Sequence, residues 1–163
     1  MNRFILFASR MLVCASLLTT LPAIGGDQVP FKGNLSLLNV PVSDNQGCPS
    51  QTIRFNVTGG GYMTHMGAVT DQEFVCFHPA DGTFTAQFTL MAANGDTVSA
   101  MAMGYTVPIS QTTFMVHGQW TILSGTGRFT GATGAGSATG PVNLATGEGS
   151  HYLDGTISSV GSD

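Results

Sequence analysis

The stretch Thr113-Phe-Met-Val-His-Gly-Gln-Trp-Thr-Ile122 places an apolar or small side chain at every second position, with more polar neighbours between. Residues 83–90, TFTAQFTL, repeat the pattern. Successive side chains of a β-strand point to opposite faces, so a period of two indicates a strand with one buried face. These two segments therefore predict a β-protein whose strands each contribute one side to a core.

The same period recurs along the chain, and no segment after the N-terminal region shows a helical period. The turn signal Ala93-Asn-Gly-Asp96 predicts a tight hairpin between two of the strands. The count is eight or nine strands, depending on whether residues 62–78 form one bent strand. The predicted strands lie near residues 30–38, 51–58, 62–70, 73–78, 83–93, 96–106, 112–123, 128–139 and 149–159.

Short turns between consecutive strands favour an up-and-down antiparallel sheet. Closing such a sheet removes the exposed edges that it would otherwise present to other chains. About eight strands enclose enough room for packed side chains or one small ligand. The predicted fold class is an all-β, closed antiparallel barrel of about eight strands, with a β-sandwich as the alternative.

Residues 1–25 combine a basic start, an apolar stretch and the small residues Ala23 and Gly25 before Gly26. This is the pattern of a cleaved export signal. The apolar run at 11–18 is far shorter than the roughly 20 residues of a membrane-spanning helix. We therefore expect residues 26–163 to form a single β-barrel domain, secreted or periplasmic, with no membrane span.

The expected mature chain is acidic, because removal of Arg3 and Arg10 leaves three basic against nine acidic residues, a net charge of 3 − 9 = −6. Such a charge does not attract nucleic acid or an anionic bilayer. The glycine-rich segment 124–136 lacks the lysine and following helix of a phosphate-binding loop. No cofactor and no metal site is predicted.

Two cysteines remain beyond the expected signal, Cys48 and Cys76. In an oxidising compartment an isolated pair predicts a disulfide. By the loop-entropy relation such a bond would stabilise the domain by roughly 3 kcal/mol.

Arg54 is one candidate for a functional role, because it is among the few basic residues and lies mid-strand on the polar face. If that face lined the lumen, Arg54 would bind a carboxylate or phenolate. Its candidate partners are Asp71, Glu73 and Asp154. If the face met water, Arg54 would be an ordinary surface residue.

Histidines and methionines supply the remaining candidates. His65 and His117 lie in predicted strands and would suit a general base within a lumen, or would otherwise be surface residues. Flexible thioethers suit an adaptable apolar pocket as well as an ordinary core. The candidate ligand-binding methionines are Met63, Met101, Met103 and Met115.

The segment Gly125-Thr-Gly-Arg-Phe-Thr-Gly-Ala-Thr-Gly-Ala-Gly136 predicts a hairpin with left-handed Gly125 and Gly127 and with Phe129 in the core. It resembles the turn-and-strand signature of allene oxide cyclases, dirigent proteins and small exported bacterial proteins with the same barrel. Thr64-His65 and the order of elements extend the resemblance. It implies an eight-stranded barrel whose cavity holds a reactive intermediate without a cofactor, and it implies oligomers. The catalytic residues of those proteins do not align with residues of this chain.

Three hypotheses about function follow. The first, which the absence of a catalytic cluster in the sequence favours, is a non-enzymatic exported barrel that binds a small hydrophobic or phenolic molecule in its lumen, or serves as a structural domain. The second is a cofactor-independent isomerase, cyclase or stereochemistry-directing protein, in which Arg54, His65 or His117 polarises an intermediate. The third is an adhesion or matrix component that makes contact through its threonine-rich outer face.

Overall fold

The computed structural model describes residues 27–158, which form one closed antiparallel barrel of eight strands in sequential order. The expected signal peptide lies outside the described residues. The predicted fold class is confirmed, and the β-sandwich alternative is wrong. The strands are β1 (Gln28–Pro41), β2 (Ile53–Met63), β3 (Gly67–His78), β4 (Thr83–Ala92), β5 (Thr97–Pro108), β6 (Thr113–Gly125), β7 (Gly134–Asn143) and β8 (Glu148–Ser158).

The core fills the inside of the barrel, because the apolar members of each alternating set point inward. Residues that pair across adjacent strands lie on the same face of the sheet, so the strand register identifies the inward-facing residues of every strand. Ala102 on β5, for example, pairs with Ala86 on β4 and with Trp120 on β6, and all three are buried.

The two ends of the barrel differ. At the end where β1 begins and β8 finishes, the turn residue Met66 and the short 3-10 turn Gly127–Phe129 cover the core. Phe129 there is fully buried, together with Leu90 and Val98. The opposite end carries the loop 42–52 and the turns 79–82, 109–112 and 144–147. We call the first the closed end and the second the mouth.

Two strand glycines make room for the large side chain at the centre of the core. Gly136 and Gly155 pair with each other, and a Cβ on either would overlap the indole of Trp120. The indole Nε1 donates a hydrogen bond to the carbonyl of Ser137 at 3.0 Å, and the ring meets Phe31 edge-on with centroids 5.9 Å apart. These glycines are therefore fixed by packing as well as by strand curvature.

The prediction that residues 62–70 form a strand is wrong, and so is the break predicted before residue 73. The chain turns at residues 64–66, and β3 runs without interruption from Gly67 to His78. His65 takes a left-handed conformation with φ +64°, followed by Gly67 at φ +78°. Histidine is one of the few non-glycine residues enriched in that region, so the turn lacks the usual glycine or proline signal.

The predicted strand 128–139 also begins later, because β7 starts only at Gly134. Gly127 and Gly131 have positive φ, as a turn requires, whereas Gly125 does not. A Cβ at Gly125 would instead overlap the backbone of Phe129. The predicted left-handed conformation of Gly127 and the predicted core position of Phe129 are confirmed. The predicted left-handed conformation of Gly125 is wrong.

The predicted disulfide between Cys48 and Cys76 is confirmed, with the two Cα atoms 5.5 Å apart. It fastens loop 42–52 to the outer face of β3. Residues 27–158 contain no helix with the length and apolar character that a bilayer crossing requires.

Candidate functional site

The barrel encloses two adjacent chambers that share five lining residues. Their cavity volumes are about 30 Å³ for the deeper chamber and about 60 Å³ for the one nearer the mouth, so both chambers are narrow. The shared residues are Glu73, Phe84, Ala86, Val116 and His151.

The walls are mostly apolar. Leu35, Phe88, Ala102 and Leu153 complete much of the deeper chamber. Towards the mouth, the chamber opens past another set that includes two polar side chains: Asn39, Phe55, Val75, Thr106, Val142 and Leu144. A concave, largely apolar lining with a few convergent polar groups is typical of small-molecule sites.

Two carboxyl groups lie on the inner face of β3, two residues apart. Asp71 pairs with Gly59 on β2 and Leu90 on β4, and Glu73 pairs with Val57 and Phe88. The paired side chains are apolar or absent, so both acids sit in an apolar ring. Asp71 is only 1% exposed, and it lies one step further from the mouth than Glu73.

Burial dominates the electrostatics of this acid pair. It raises the pKa of Asp71 to about 6, with a smaller opposing effect of the Glu73 carboxyl and of the Gln72 amide. Burial, reinforced by the neighbouring Asp71, also raises the pKa of Glu73 well above its ordinary value. Within residues 27–158, no amide, hydroxyl or cationic group forms a well-aligned hydrogen bond with either oxygen of Asp71.

A shared proton follows from this arrangement. Two adjacent carboxylates in apolar surroundings cannot both ionise at low cost, so at least one proton stays between Asp71 and Glu73. The Glu73 carboxyl lowers the pKa of Asp71, whereas the Asp71 carboxyl raises that of Glu73. Glu73 is therefore the member that holds the proton.

His151 enters the same chambers from β8. It pairs with Leu35 on β1, whose side chain is buried in the core. Burial lowers the pKa of His151 to about 4, because the charged imidazolium loses its hydration. The imidazole is therefore neutral at pH 7 and available as a hydrogen-bond acceptor.

Arg54 lies on the outer face of the barrel. Its candidate role as a ligand-binding residue required that this face line the lumen, which it does not. Its guanidinium donates to Asp44 of loop 42–52 at 2.8 Å and lies 4.8 Å from the Phe74 ring centroid. None of the three expected carboxyl partners contacts it. Asp71 and Glu73 face inward, and Asp154 forms an ion pair with Lys32 at 2.9 Å. Alternation explains this outcome, since Arg54 precedes the inward-facing Phe55.

The two candidate histidines also lie outside the lumen. His65 is exposed in the turn between β2 and β3. His117 stacks on Tyr105, with ring centroids 5.3 Å apart, and Tyr105 is 52% exposed. His117 shares the outer face because it pairs with Tyr105 on the adjacent strand.

The candidate methionines divide between the closed end and the surface. Met63 is fully buried in the core at the closed end, whereas Met101 and Met103 are exposed on the outside of β5. Met115 is half-buried on the outer face of β6. None of the four lines either chamber.

The residues that do line the chambers carried a signal that was overlooked. In Val69-Thr-Asp-Gln-Glu-Phe-Val75, both acids share the parity of the two valines, which places them on the inner face of a continuous strand. The sequence-based prediction considered these acids only as partners of Arg54. His151 likewise shares parity with Leu153, whose side chain is buried.

No group of three or more histidine, cysteine or acidic side chains among residues 27–158 is arranged to hold a metal ion. No known family model matches the chain, and no curated protein does.

Two solved structures resemble this fold across most of their length. The pterocarpan synthase dirigent protein PsPTS1 has a TM-score of 0.56 and 14% identity, covering 83% of this chain and 97% of its own. The pterocarpan synthase dirigent protein GePTS1 has a TM-score of 0.56 and 16% identity, covering 93% and 96%. At such low identity the similarity concerns the fold, an eight-stranded barrel like that of dirigent proteins.

Proposed function

We propose that the lumen binds a small, mostly apolar and uncharged molecule, and that the Asp71–Glu73 pair directs its chemistry without a cofactor. The observation that carries this proposal is the buried carboxyl group of Glu73 in the lining of a narrow apolar chamber, with the buried Asp71 two residues away on the same face of β3. It combines the first and second hypotheses from the sequence and replaces Arg54 and the outer histidines with groups that face the lumen.

The expected charge of the ligand follows from the lining. No lysine or arginine lines either chamber, so an anion would be repelled by Asp71 and would lose its hydration without compensation. A molecule with an aromatic or aliphatic body and one neutral oxygen would instead bury its body against Phe84 and Val116. Its oxygen would accept a hydrogen bond from Glu73.

The acid pair suits proton donation. When both acids are protonated, Asp71 donates to Glu73 and the Glu73 hydroxyl is free to donate to the ligand. A proton passed to the ligand leaves a Glu73 carboxylate, which the Asp71 hydroxyl stabilises. Positioned proton transfer of this kind contributes about 10²–10⁴-fold to rates, and the walls hold the ligand in one orientation.

The similarity in fold to dirigent proteins supports a stereochemistry-directing role, in which the shape of the lumen selects one face of a reactive intermediate. A phenolic ligand suits the lining for the reasons given above. We include a homo-oligomeric assembly in the proposal, as the resemblance implies.

Export belongs to the same proposal. Residues 1–25 would be removed as a signal peptide, leaving residues 26–163 as one domain outside the cytoplasm. The Cys48–Cys76 bond supports this location, since disulfides persist mainly in oxidising compartments.

Binding of the neutral fluorescent probe N-phenyl-1-naphthylamine tests the proposal. Ala86 lines both chambers, so Ala86→Leu should fill the shared space and weaken binding by more than tenfold. Its outward-facing neighbour provides the control, because Gln87→Leu adds apolar area without entering the lumen.

We expect saturable one-to-one binding in the wild type and in Gln87→Leu. Circular dichroism and thermal melting establish that each variant is folded. Equal affinity of a folded Ala86→Leu variant would place the ligand outside the lumen and refute the proposal. Absence of saturable binding to the native protein would refute it as well.

A further inference from the structure

Glu73 and His151 are the two titratable side chains among the lining residues of the chambers, and both line both of them. They come from different strands, β3 and β8, which lie three strands apart around the ring of eight. The space between them is bounded by Phe84, Ala86 and Val116. A ligand in that space therefore meets a carboxyl group and an imidazole at the same time.

Their environments favour opposite protonation states. Burial and the adjacent Asp71 keep the proton on Glu73, whereas burial removes the proton from His151. Above about pH 4 the imidazole of His151 is neutral, and it faces a Glu73 carboxyl group whose pKa is raised well above its ordinary value. Pairs of groups whose environments separate their pKa values in this way are typical of acid–base catalytic sites.

Resting on the proposed function, we propose that the lumen catalyses enolisation of a small neutral carbonyl compound, with Glu73 as proton donor and His151 as proton acceptor. Glu73 and His151 are then the catalytic residues, and Asp71 is a positioning residue that acts through Glu73.

The forward step moves two protons and two electron pairs. The Glu73 O–H bond breaks and its proton forms an O–H bond with the carbonyl oxygen. An α C–H bond breaks, its proton passes to the imidazole, and its electron pair becomes the new C=C bond. The carbonyl π pair forms the bond to the proton on oxygen. The products are an enol, a Glu73 carboxylate and a His151 imidazolium.

The reverse step restores the site. The imidazolium returns a proton to carbon, and the enol O–H returns one to Glu73, so no oxidant or reductant is consumed. Return to the same carbon inverts or exchanges that centre, and return to a conjugated carbon shifts a double bond. Throughout, the charges created on Glu73 and His151 are equal and opposite, which limits the cost of charge separation in an apolar chamber.

Exchange of α-protons for deuterium provides the assay, because it needs no knowledge of the natural substrate. The probes are 2-indanone and cyclohexanone in D₂O near pH 5, followed by proton NMR with the full mature chain. Displacement of N-phenyl-1-naphthylamine by each ketone measures binding separately. We expect exchange by the wild type about 100-fold faster than by Glu73→Gln or His151→Gln.

Matched controls carry the same substitutions outside the lumen. Glu148→Gln changes an exposed glutamate on β8, and His117→Gln changes the histidine stacked on Tyr105. Both should retain wild-type exchange. A ketone that displaces the probe without faster exchange than in buffer would overturn this inference while the proposed function stands. Failure of every ketone and of the probe to bind would overturn both.

The wild type supplies a second readout if a lumen variant does not fold. Asp71 is the titratable group beside Glu73, and the lining residues add none beside His151. The exchange rate should rise and fall with pH, with the lower limb near pH 4, where His151 loses its proton, and the upper limb where Glu73 ionises, above the ordinary range of a glutamate. A rate that only rises with pH would indicate simple base catalysis and contradict the paired mechanism.

Discussion

At the scale of single residues, Asp71 shows how the position of a carboxyl group in the fold determines its energetic effect. Its neighbours on either side, Thr70 and Gln72, are exposed, whereas Asp71 is among the most deeply buried residues described. A buried carboxyl group without a cation beside it destabilises the fold once it ionises. The stability of the fold therefore depends on the protonation state of Asp71.

Asp71→Asn should stabilise the protein increasingly as pH rises from about 4 to about 6. The pKa of Asp71 is raised from 3.8 to about 6, so in this window the unfolded chain loses a proton that the folded protein keeps. The free energy of unfolding contributed by Asp71 therefore falls as pH rises. The variant should gain on the order of 3 kcal/mol relative to wild type across the window, measured by urea unfolding at pH 4 and pH 7.

The comparison must be between variants, because His151 acts in the opposite direction. Its pKa is lowered from 6.5 to about 4, so its contribution to the free energy of unfolding falls as pH drops through that range. Gln72→Asn, on the outer face beside Asp71, is the control and should run parallel to wild type. If the free energy of unfolding of Asp71→Asn had the same pH dependence as that of the wild type, Asp71 would not be desolvated in the folded protein.

At the scale of elements, alternation predicted most strands but not the places where a turn lacks glycine or proline. The β2–β3 turn at Thr64–Met66 keeps Met66 buried, so the apolar pattern passes through it without a visible interruption. Conversely, the division between predicted strands at 62–70 and 73–78 falls inside β3, where the strand is continuous. Polar residues inside a barrel lumen and polar residues in a turn look alike in sequence, because only closure of the sheet creates an interior face with space for them.

The packing of β6, β7 and β8 around the chain's single tryptophan gives a prediction for this element. Gly136→Ala should destabilise the barrel by about 1–3 kcal/mol, because the added Cβ overlaps the Trp120 ring and the backbone of β8. Thermal unfolding followed by tryptophan fluorescence measures the loss. Ala135→Ser, exposed on the same strand, should change stability by less than about 0.5 kcal/mol, and an equal effect of the two substitutions would contradict this packing.

At the scale of the whole molecule, the count of strands and their short connections were enough to predict a closed barrel. The outward position of Arg54 also agrees with its parity relative to Phe55 and Val57. The proximity of Glu73 to His151 was not predictable, since it depends on closure between β8 and β1, a pairing between the first and last strands. The relation between distant strands is a property of the closed ring and not of any local pattern.

The disulfide belongs to this scale because it ties loop 42–52 to the barrel wall. Replacing both Cys48 and Cys76 by serine should lower the free energy of unfolding by roughly 3 kcal/mol, mainly by releasing the unfolded chain. Since the bond lies on the outer face, the folded variant should still bind N-phenyl-1-naphthylamine with wild-type affinity. Denaturant unfolding and probe titration measure the two effects, and loss of probe affinity in the folded variant would show that the loop shapes the lumen.

The closed end, where Phe129 and Met66 cover the core, also constrains the proposed reaction. Both chambers lie between the closed end and the mouth, so a molecule would enter and leave the lumen of the described barrel through the same opening. A product must leave before the next molecule enters, and the narrow space leaves no room for the two to pass. Product should therefore compete directly with substrate, and the rate of departure through the mouth sets an upper limit on the rate of any reaction inside.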